Sequence, residues 1–84
     1  MKYKTIGYCD EMSTRKWNTL GKLSEFCDYS KMIDYMKKRC KCDGDVVEKD
    51  IEIDSDELVY EDDKYVITYR DFMCGQVFLY EKLL

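Results

Sequence analysis

The sequence predicts one α+β domain in which two amphipathic helices pack on one face of a mostly antiparallel sheet, in the order β-α-α-β-β-β-β. The chain has 84 residues, which suits a single domain spanning residues 1–84. Apolar residues make up 45% of it, too many for a disordered chain even though 38% of the residues are charged. Apolar residues recur every three or four positions in much of the first half and every second position later, which indicates helices followed by strands.

The first half of the chain predicts one strand and two helices. Residues 2–9 are rich in β-forming residues and end at a polar pair, which indicates a strand. From Ser13 to Cys27, apolar residues at helical spacing predict a first helix. A second helix is predicted from an apolar stripe made of Tyr29, Met32, Ile33, Met36 and Cys40. Basic residues near its end suit the helix dipole, and Gly44 provides the stop.

The second half predicts a meander of about four strands. In residues 48–54, acidic positions alternate with largely apolar ones, which describes a strand with one wet face. Residues 58–60 and 65–69 are predicted to form a β-hairpin around the polar turn 61–64. A last strand is predicted at residues 76–80. Because the chain contains no Pro and no linker-like tract, the prediction is one domain throughout.

The composition argues against an enzyme and against a bound cofactor. The chain has no His, the side chain most often used for acid-base catalysis near neutral pH, and a Cys nucleophile would lack its usual imidazole partner. Its four Gly are isolated, so there is no Gly-rich phosphate loop. We therefore expect a function in binding rather than in catalysis.

Metal binding is an alternative with weaker support. The five Cys are odd in number and mostly have apolar neighbours, so we expect buried free thiols. A zinc site would have to be built from Cys alone, and only Cys40 and Cys42 are close in sequence. A calcium-binding module is less favoured than a binding surface, because the EF-hand Gly and flanking helices are missing around residues 50–57. We expect no metal site.

No apolar run approaches the length needed to cross a bilayer, and residues 1–10 lack the apolar core of a signal peptide. We therefore expect a cytoplasmic location and no membrane partner. The overall pI of about 4.8 also argues against direct binding to nucleic acid. The oligomeric state stays open.

Charge divides the chain into three parts. Residues 1–42 carry ten basic and five acidic residues, a net charge of +5. Residues 43–63 carry eleven acidic residues and only Lys49 as a base, a net charge of −10. Residues 64–84 have a net charge of +1, which brings the total to −4. The informative feature is thus one strongly acidic segment on strand-forming sequence.

The spacing of these carboxylates predicts a protein-binding surface. Residues two apart on a strand share a face and are separated by about 6.6 Å, so the acidic positions of 48–54 would form a row. One DNA strand carries a phosphate every ~3.4 Å of axis, so this row would imitate about every second phosphate. The predicted partner-binding residues are Glu48, Asp50, Glu52, Asp54, Asp56, Glu57, Glu61, Asp62, Asp63, Tyr60 and Tyr65.

Two other interpretations of the segment stay open. Carboxylates on an exposed strand keep a sheet soluble and block edge pairing, so the charge run can be only a solvated face. Alternatively, the protein is a regulatory or structural interaction domain that docks through its second helix or a sheet edge. Ten excess negative charges within 21 residues repel one another, which favours a functional role.

In size, acidity, Tyr content and the carboxylate cluster of residues 43–63, the chain resembles small phage-encoded anti-CRISPR proteins and other DNA-mimic inhibitors. The resemblance implies a stoichiometric blocker that occupies the nucleic-acid groove of a host nuclease or surveillance complex, in the host cytoplasm. In that case the row of residues 48–54 and the turn 61–63 would make the contact, with Tyr60 or Tyr65 as aromatic anchors.

Overall fold

A computed structural model describes residues 2–10, 29–48, 56–70 and 75–83. Their elements are β1 (Lys2–Asp10), α1 (Tyr29–Arg39), β2 (Val46–Glu48), β3 (Glu57–Glu61), β4 (Tyr65–Arg70) and β5 (Gln76–Leu83). The strands form one sheet in the order β2-β1-β5-β4-β3, and every neighbouring pair is antiparallel. More than half of the described residues lie in these strands.

The predicted arrangement of two helices on one face, in the order β-α-α-β-β-β-β, is wrong. The described residues form a mostly antiparallel sheet with a single helix. The predicted first helix, from Ser13 to Cys27, lies outside the described residues. One-sided packing also fails, because β4 and β5 bury adjacent residues such as Val66 and Ile67. Since adjacent strand residues point to opposite faces, both faces of the sheet are buried here.

Among the described residues, the meander consists of three strands. Strands β3, β4 and β5 follow one another in the sheet, and the predicted hairpin is confirmed by pairs that run from Glu57↔Tyr69 to Glu61↔Val66. Strand β2 is not part of this meander, because it pairs with β1 at the opposite edge. The predicted strand at residues 48–54 overlaps β2 only at Glu48, and residues 49–55 lie outside the described part.

The helix packs on the sheet through its predicted apolar stripe. Met32, Ile33 and Met36 are buried and join a core cluster that contains Ile67 and Leu79 of the sheet. Gly7 of β1 permits this close approach. A Cβ atom at that position would lie 3.1 Å from the Cβ of Leu79 and 3.4 Å from that of Met36. Within the described residues, Cys9 and Cys40 are buried and Cys42 is half-buried, and none of the three is in a disulfide.

The opposite face of the sheet holds a second cluster. Tyr3, Val66 and Tyr80 are buried there, and Val47 and Phe78 pack against them. The rings of Tyr3 and Tyr80 meet edge to face, with centroids 6.3 Å apart. Tyr therefore contributes to the core of this sheet through its apolar ring, as the high Tyr content of the chain suggests.

Among the described residues, no helix has both the length and the apolar character needed to cross a membrane. The helix α1 has 11 residues and carries three basic residues in its last turn, as expected for the negative end of a helix dipole.

Candidate acidic docking surface

The hairpin β3–β4 carries most of the predicted partner-binding residues that the structure describes, and Asp62 organises its turn. One carboxylate oxygen, Oδ1, accepts hydrogen bonds from the backbone N–H groups of Lys64 and Tyr65, both at 2.7 Å. The other, Oδ2, accepts the hydroxyl of Tyr60 at 2.8 Å. This is the arrangement by which an Asp side chain closes a turn on its own backbone. Asp62 therefore acts in the fold of the hairpin.

The environment of Asp62 favours its ionised form. Partial desolvation raises the pKa of this carboxyl, but the N–H donors of Tyr65 and Lys64, the hydroxyl of Tyr60 and the charge of Lys82 outweigh it. The net effect is a pKa below its ordinary value. The turn is thus held together by a carboxylate that stays charged at neutral pH.

Asp56, immediately before β3, is also committed to the fold. Its side chain is fully buried and forms an ion pair with Arg70, with 2.8 Å between Oδ1 and Nε. Its Oδ2 accepts a second Arg70 hydrogen bond from Nη2 at 3.3 Å and one from the hydroxyl of Thr68 at 3.2 Å. Thr68 is itself fully buried. Asp56 therefore fastens the start of β3 to β4 and offers no free carboxylate to a partner.

Glu61 is shared between the fold and the surface. Its Oε2 lies 2.8 Å from Nζ of Lys82, and this hydrogen-bonded contact raises the pKa of Lys82. The Glu61 side chain nevertheless remains 46% exposed. A surface ion pair of this kind is screened by solvent, so Glu61 can still contribute negative potential to a docking surface.

Glu57, Asp63 and Glu48 are exposed and form no ion pair within the part of the chain that the structure describes. Glu57 and Asp63 lie on β3 and its turn, whereas Glu48 lies on β2 at the other edge of the sheet. Four strand spacings separate these edges, about 19 Å. The structure thus separates Glu48 from the acidic turn. Of the other predicted residues of the row, Asp50, Glu52 and Asp54 lie outside the described residues.

The two predicted aromatic anchors make contacts within the domain. The Tyr60 ring stacks on the ring of Tyr29, with centroids 4.4 Å apart and planes at 16°. The hydroxyl of Tyr65 accepts a hydrogen bond from Nζ of Lys37 at 3.1 Å, and the ammonium groups of Lys37 and Lys64 lie over its ring. Both tyrosines are half-buried, so they brace the hairpin against α1.

The structure adds one residue that the sequence analysis did not assign to the surface. Leu58 lies on the edge strand β3 and is 55% exposed. The local sequence could not identify this residue, because the side-chain alternation of a hairpin strand is the same at the edge of a sheet and in its centre. The candidate surface, called the acidic edge below, therefore runs along one edge of the sheet and consists of Glu57, Leu58, Glu61 and Asp63. By the strand register, Glu57 points to the face that carries α1, and Leu58 and Glu61 point to the opposite face.

No group of three or more Cys, Asp or Glu side chains in the described residues is arranged to hold a metal ion. Comparison with protein-family models, with curated proteins and with solved structures finds no match to this chain.

Proposed function

We propose that this protein is a non-enzymatic inhibitor that docks its acidic edge on the basic, nucleic-acid-binding surface of a partner protein. The observation that supports the proposal is the exposure of Glu57, Glu61 and Asp63 on one edge hairpin, beside the exposed Leu58. The partner class is a nuclease or nucleic-acid surveillance complex in the cytoplasm, as expected for an anti-CRISPR-like blocker.

The rigidity of the hairpin supports a role in binding. Asp62 closes the turn with three hydrogen bonds, and Asp56 ties the start of β3 to Arg70. A surface that is already ordered loses little conformational entropy when it binds. The buried or turn-forming carboxylates thus hold the exposed ones in place.

The composition of the acidic edge suits a protein partner. Its carboxylates attract Lys and Arg side chains and speed the encounter with a basic groove. Leu58 adds an apolar contact that a partner can desolvate, as the centre of a protein interface requires. Nucleic acid itself would be repelled by the same charges.

Affinity capture tests the proposal. The tagged chain is incubated with a bacterial lysate, and the captured proteins are identified and then challenged with duplex DNA and with NaCl raised from about 0.1 to 1 M. We expect the captured partner to be a nucleic-acid-binding protein, and we expect both duplex DNA and high salt to release it. The triple variant Glu57→Gln/Glu61→Gln/Asp63→Asn should lose this capture.

The matched control neutralises three exposed carboxylates elsewhere, in Asp34→Asn/Asp43→Asn/Asp45→Asn. It removes the same charge but leaves the acidic edge intact, so it should retain capture. Equal loss in both variants would show that net charge alone is responsible, and unchanged capture by the first variant would contradict the proposal directly.

A second candidate function rests on the free edge of β3 itself. Leu58 is exposed on an edge strand whose backbone is unpaired on one side among the described residues, an arrangement that can accept a strand from a partner. Binding of this kind depends on backbone hydrogen bonds and hardly on salt. Capture that survives high salt but is lost in Leu58→Asp would favour this candidate over the charge-based one.

A further inference from the structure

A cleft of about 410 Å³ lies on the helix side of the sheet, where the end of α1 meets β1 and β5. Its lining residues are Lys4, Ile6, Lys37, Lys41, Cys42, Asp43 and Glu81. We propose that this cleft binds a small phosphate monoester that also carries an amino or hydroxyl group. The proposal is independent of the acidic edge, which lies at the β3 side of the sheet.

Three lysines from three parts of the chain line the cleft. Lys4 belongs to β1, Lys37 to the last turn of α1, and Lys41 to the segment after the helix. Backbone contacts hold that segment against β1. The N–H of Tyr8 donates to the carbonyl of Cys40 at 2.8 Å, and the N–H of Cys42 donates to that of Ile6 at 3.1 Å. The convergence of the lysines is therefore built into the fold.

The lysines differ in how they are held. Nζ of Lys37 donates a hydrogen bond to the hydroxyl of Tyr65 at 3.1 Å, so one positive charge has a defined position. Lys4 and Lys41 are exposed and form no ion pair within the described residues. Their charges are therefore available to an incoming anion. Lysine is a common phosphate ligand because its ammonium group acts as a compact point charge.

The two carboxylates restrict the kind of anion. Asp43 and Glu81 line the same cleft, which leaves the lining with a net charge of +1. A polyphosphate would be repelled by them, whereas an amino or hydroxyl group next to a single phosphate can donate hydrogen bonds to them. Ile6 supplies an apolar wall for the connecting carbon atoms. The volume lies within the range of small-molecule sites, about 300–1,000 Å³.

Titration with phosphoethanolamine, followed by the backbone amide signals in NMR, tests the proposal. We expect saturable shifts at Ile6, Lys41 and Cys42, and weaker binding of inorganic phosphate and of ethanolamine alone. Lys4→Gln and Lys41→Gln should each raise Kd about tenfold, because each removes a charged hydrogen-bond partner.

Lys38→Gln provides the matched control. Lys38 is an exposed lysine beside Lys37 in the last turn of α1, but it does not line the cleft. It should leave Kd within about twofold of the wild-type value. Asp43→Asn should weaken phosphoethanolamine but tighten inorganic phosphate. The proposal is overturned if phosphoethanolamine causes no saturable shift at concentrations up to about 10 mM. It is also overturned if Lys38→Gln weakens binding as much as Lys41→Gln does.

Discussion

At the β3 edge of the sheet, Asp56 and Asp62 are bound by donors of their own hairpin, whereas at the β2 edge Asp45 and Glu48 are exposed and form no ion pair among the described residues. All four come from the same acidic segment of the sequence. The described carboxylates of this segment therefore do not form one surface. Carboxylates that meet N–H, hydroxyl or guanidinium donors stabilise the hairpin, and the others stay available to solvent or to a partner.

This difference has a local cause. The β3–β4 hairpin returns the chain on itself within a few residues, so its acidic side chains lie near backbone donors of the turn and near Arg70. Strand β2 has only three residues, and among the described strands it pairs only with β1. Its carboxylates therefore meet no comparable donors.

The largest effect is expected for Asp56→Ala. The substitution leaves Arg70 and the buried hydroxyl of Thr68 without this acceptor. We expect a loss of about 2–3 kcal/mol in the free energy of unfolding, below the value for a fully buried pair because the Arg70 side chain is 34% exposed. Urea denaturation measures it. Glu57→Ala, at the exposed neighbour, should cost less than ~0.5 kcal/mol; equal effects would abolish the distinction between bound and free carboxylates.

At the β2 edge, backbone packing rather than charge is expected to matter, and Gly44→Ala tests this. A Cβ at Gly44 would lie 2.6 Å from Cβ and 2.8 Å from the carbonyl oxygen of Thr5, so the backbone must move. We expect a loss of about 2 kcal/mol. Hydrogen exchange of the Gly44 amide, which donates to Thr5 at 3.0 Å, should become faster. Asp45→Ala serves as the control. An unchanged exchange rate for the backbone amide at position 44 in Gly44→Ala would contradict the close packing.

The pH dependence of stability tests the role of Asp62 in the turn. Because the fold lowers its pKa below the ordinary 3.8, Asp62 stabilises the protein above that pH. The contribution disappears as the pH falls through the folded value. Asp62→Asn should lower the free energy of unfolding by about 0.5–1 kcal/mol at pH 7. On acidification, the variant should then lose less stability than the wild-type protein does. Thermal melts from about pH 7 to pH 2.5 measure this. Asp63→Asn removes one charge from the same turn and should cost less than ~0.5 kcal/mol at pH 7. A wild-type pH profile for Asp62→Asn would refute the assignment.

The smallest effect is expected for the exposed carboxylates at the β2 edge. The double variant Asp45→Asn/Glu48→Gln should change the free energy of unfolding by less than about 0.5 kcal/mol, since neither residue has an ion-pair partner in the described part of the chain. Chemical denaturation at low and high salt would show it. A larger loss would mean that both edges use their carboxylates in the same way.

Local patterns were enough to predict most of the described elements. The strand at residues 2–9, the hairpin and the last strand agree with the structure, and so does the second helix with its buried Met32 and Met36, although it ends at Arg39 and not near Gly44. These elements were visible because helical and strand periodicity and turn chemistry act over a few residues. Of the predicted site residues that the structure describes, Glu57, Glu61 and Asp63 combine exposure with a place on the β3–β4 hairpin.

The sequence by itself determined where apolar and polar residues alternate and where the chain turns. It also determined that the negative charge is concentrated between residues 43 and 63. The tertiary structure alone decided that β1 pairs with both β2 and β5, in contacts such as Thr5↔Tyr80. That pairing places β2 and β3 at opposite edges and divides the acidic segment between them. The physical reason is that strand order depends on contacts between distant residues, and the period of a strand is the same whichever neighbour it finds.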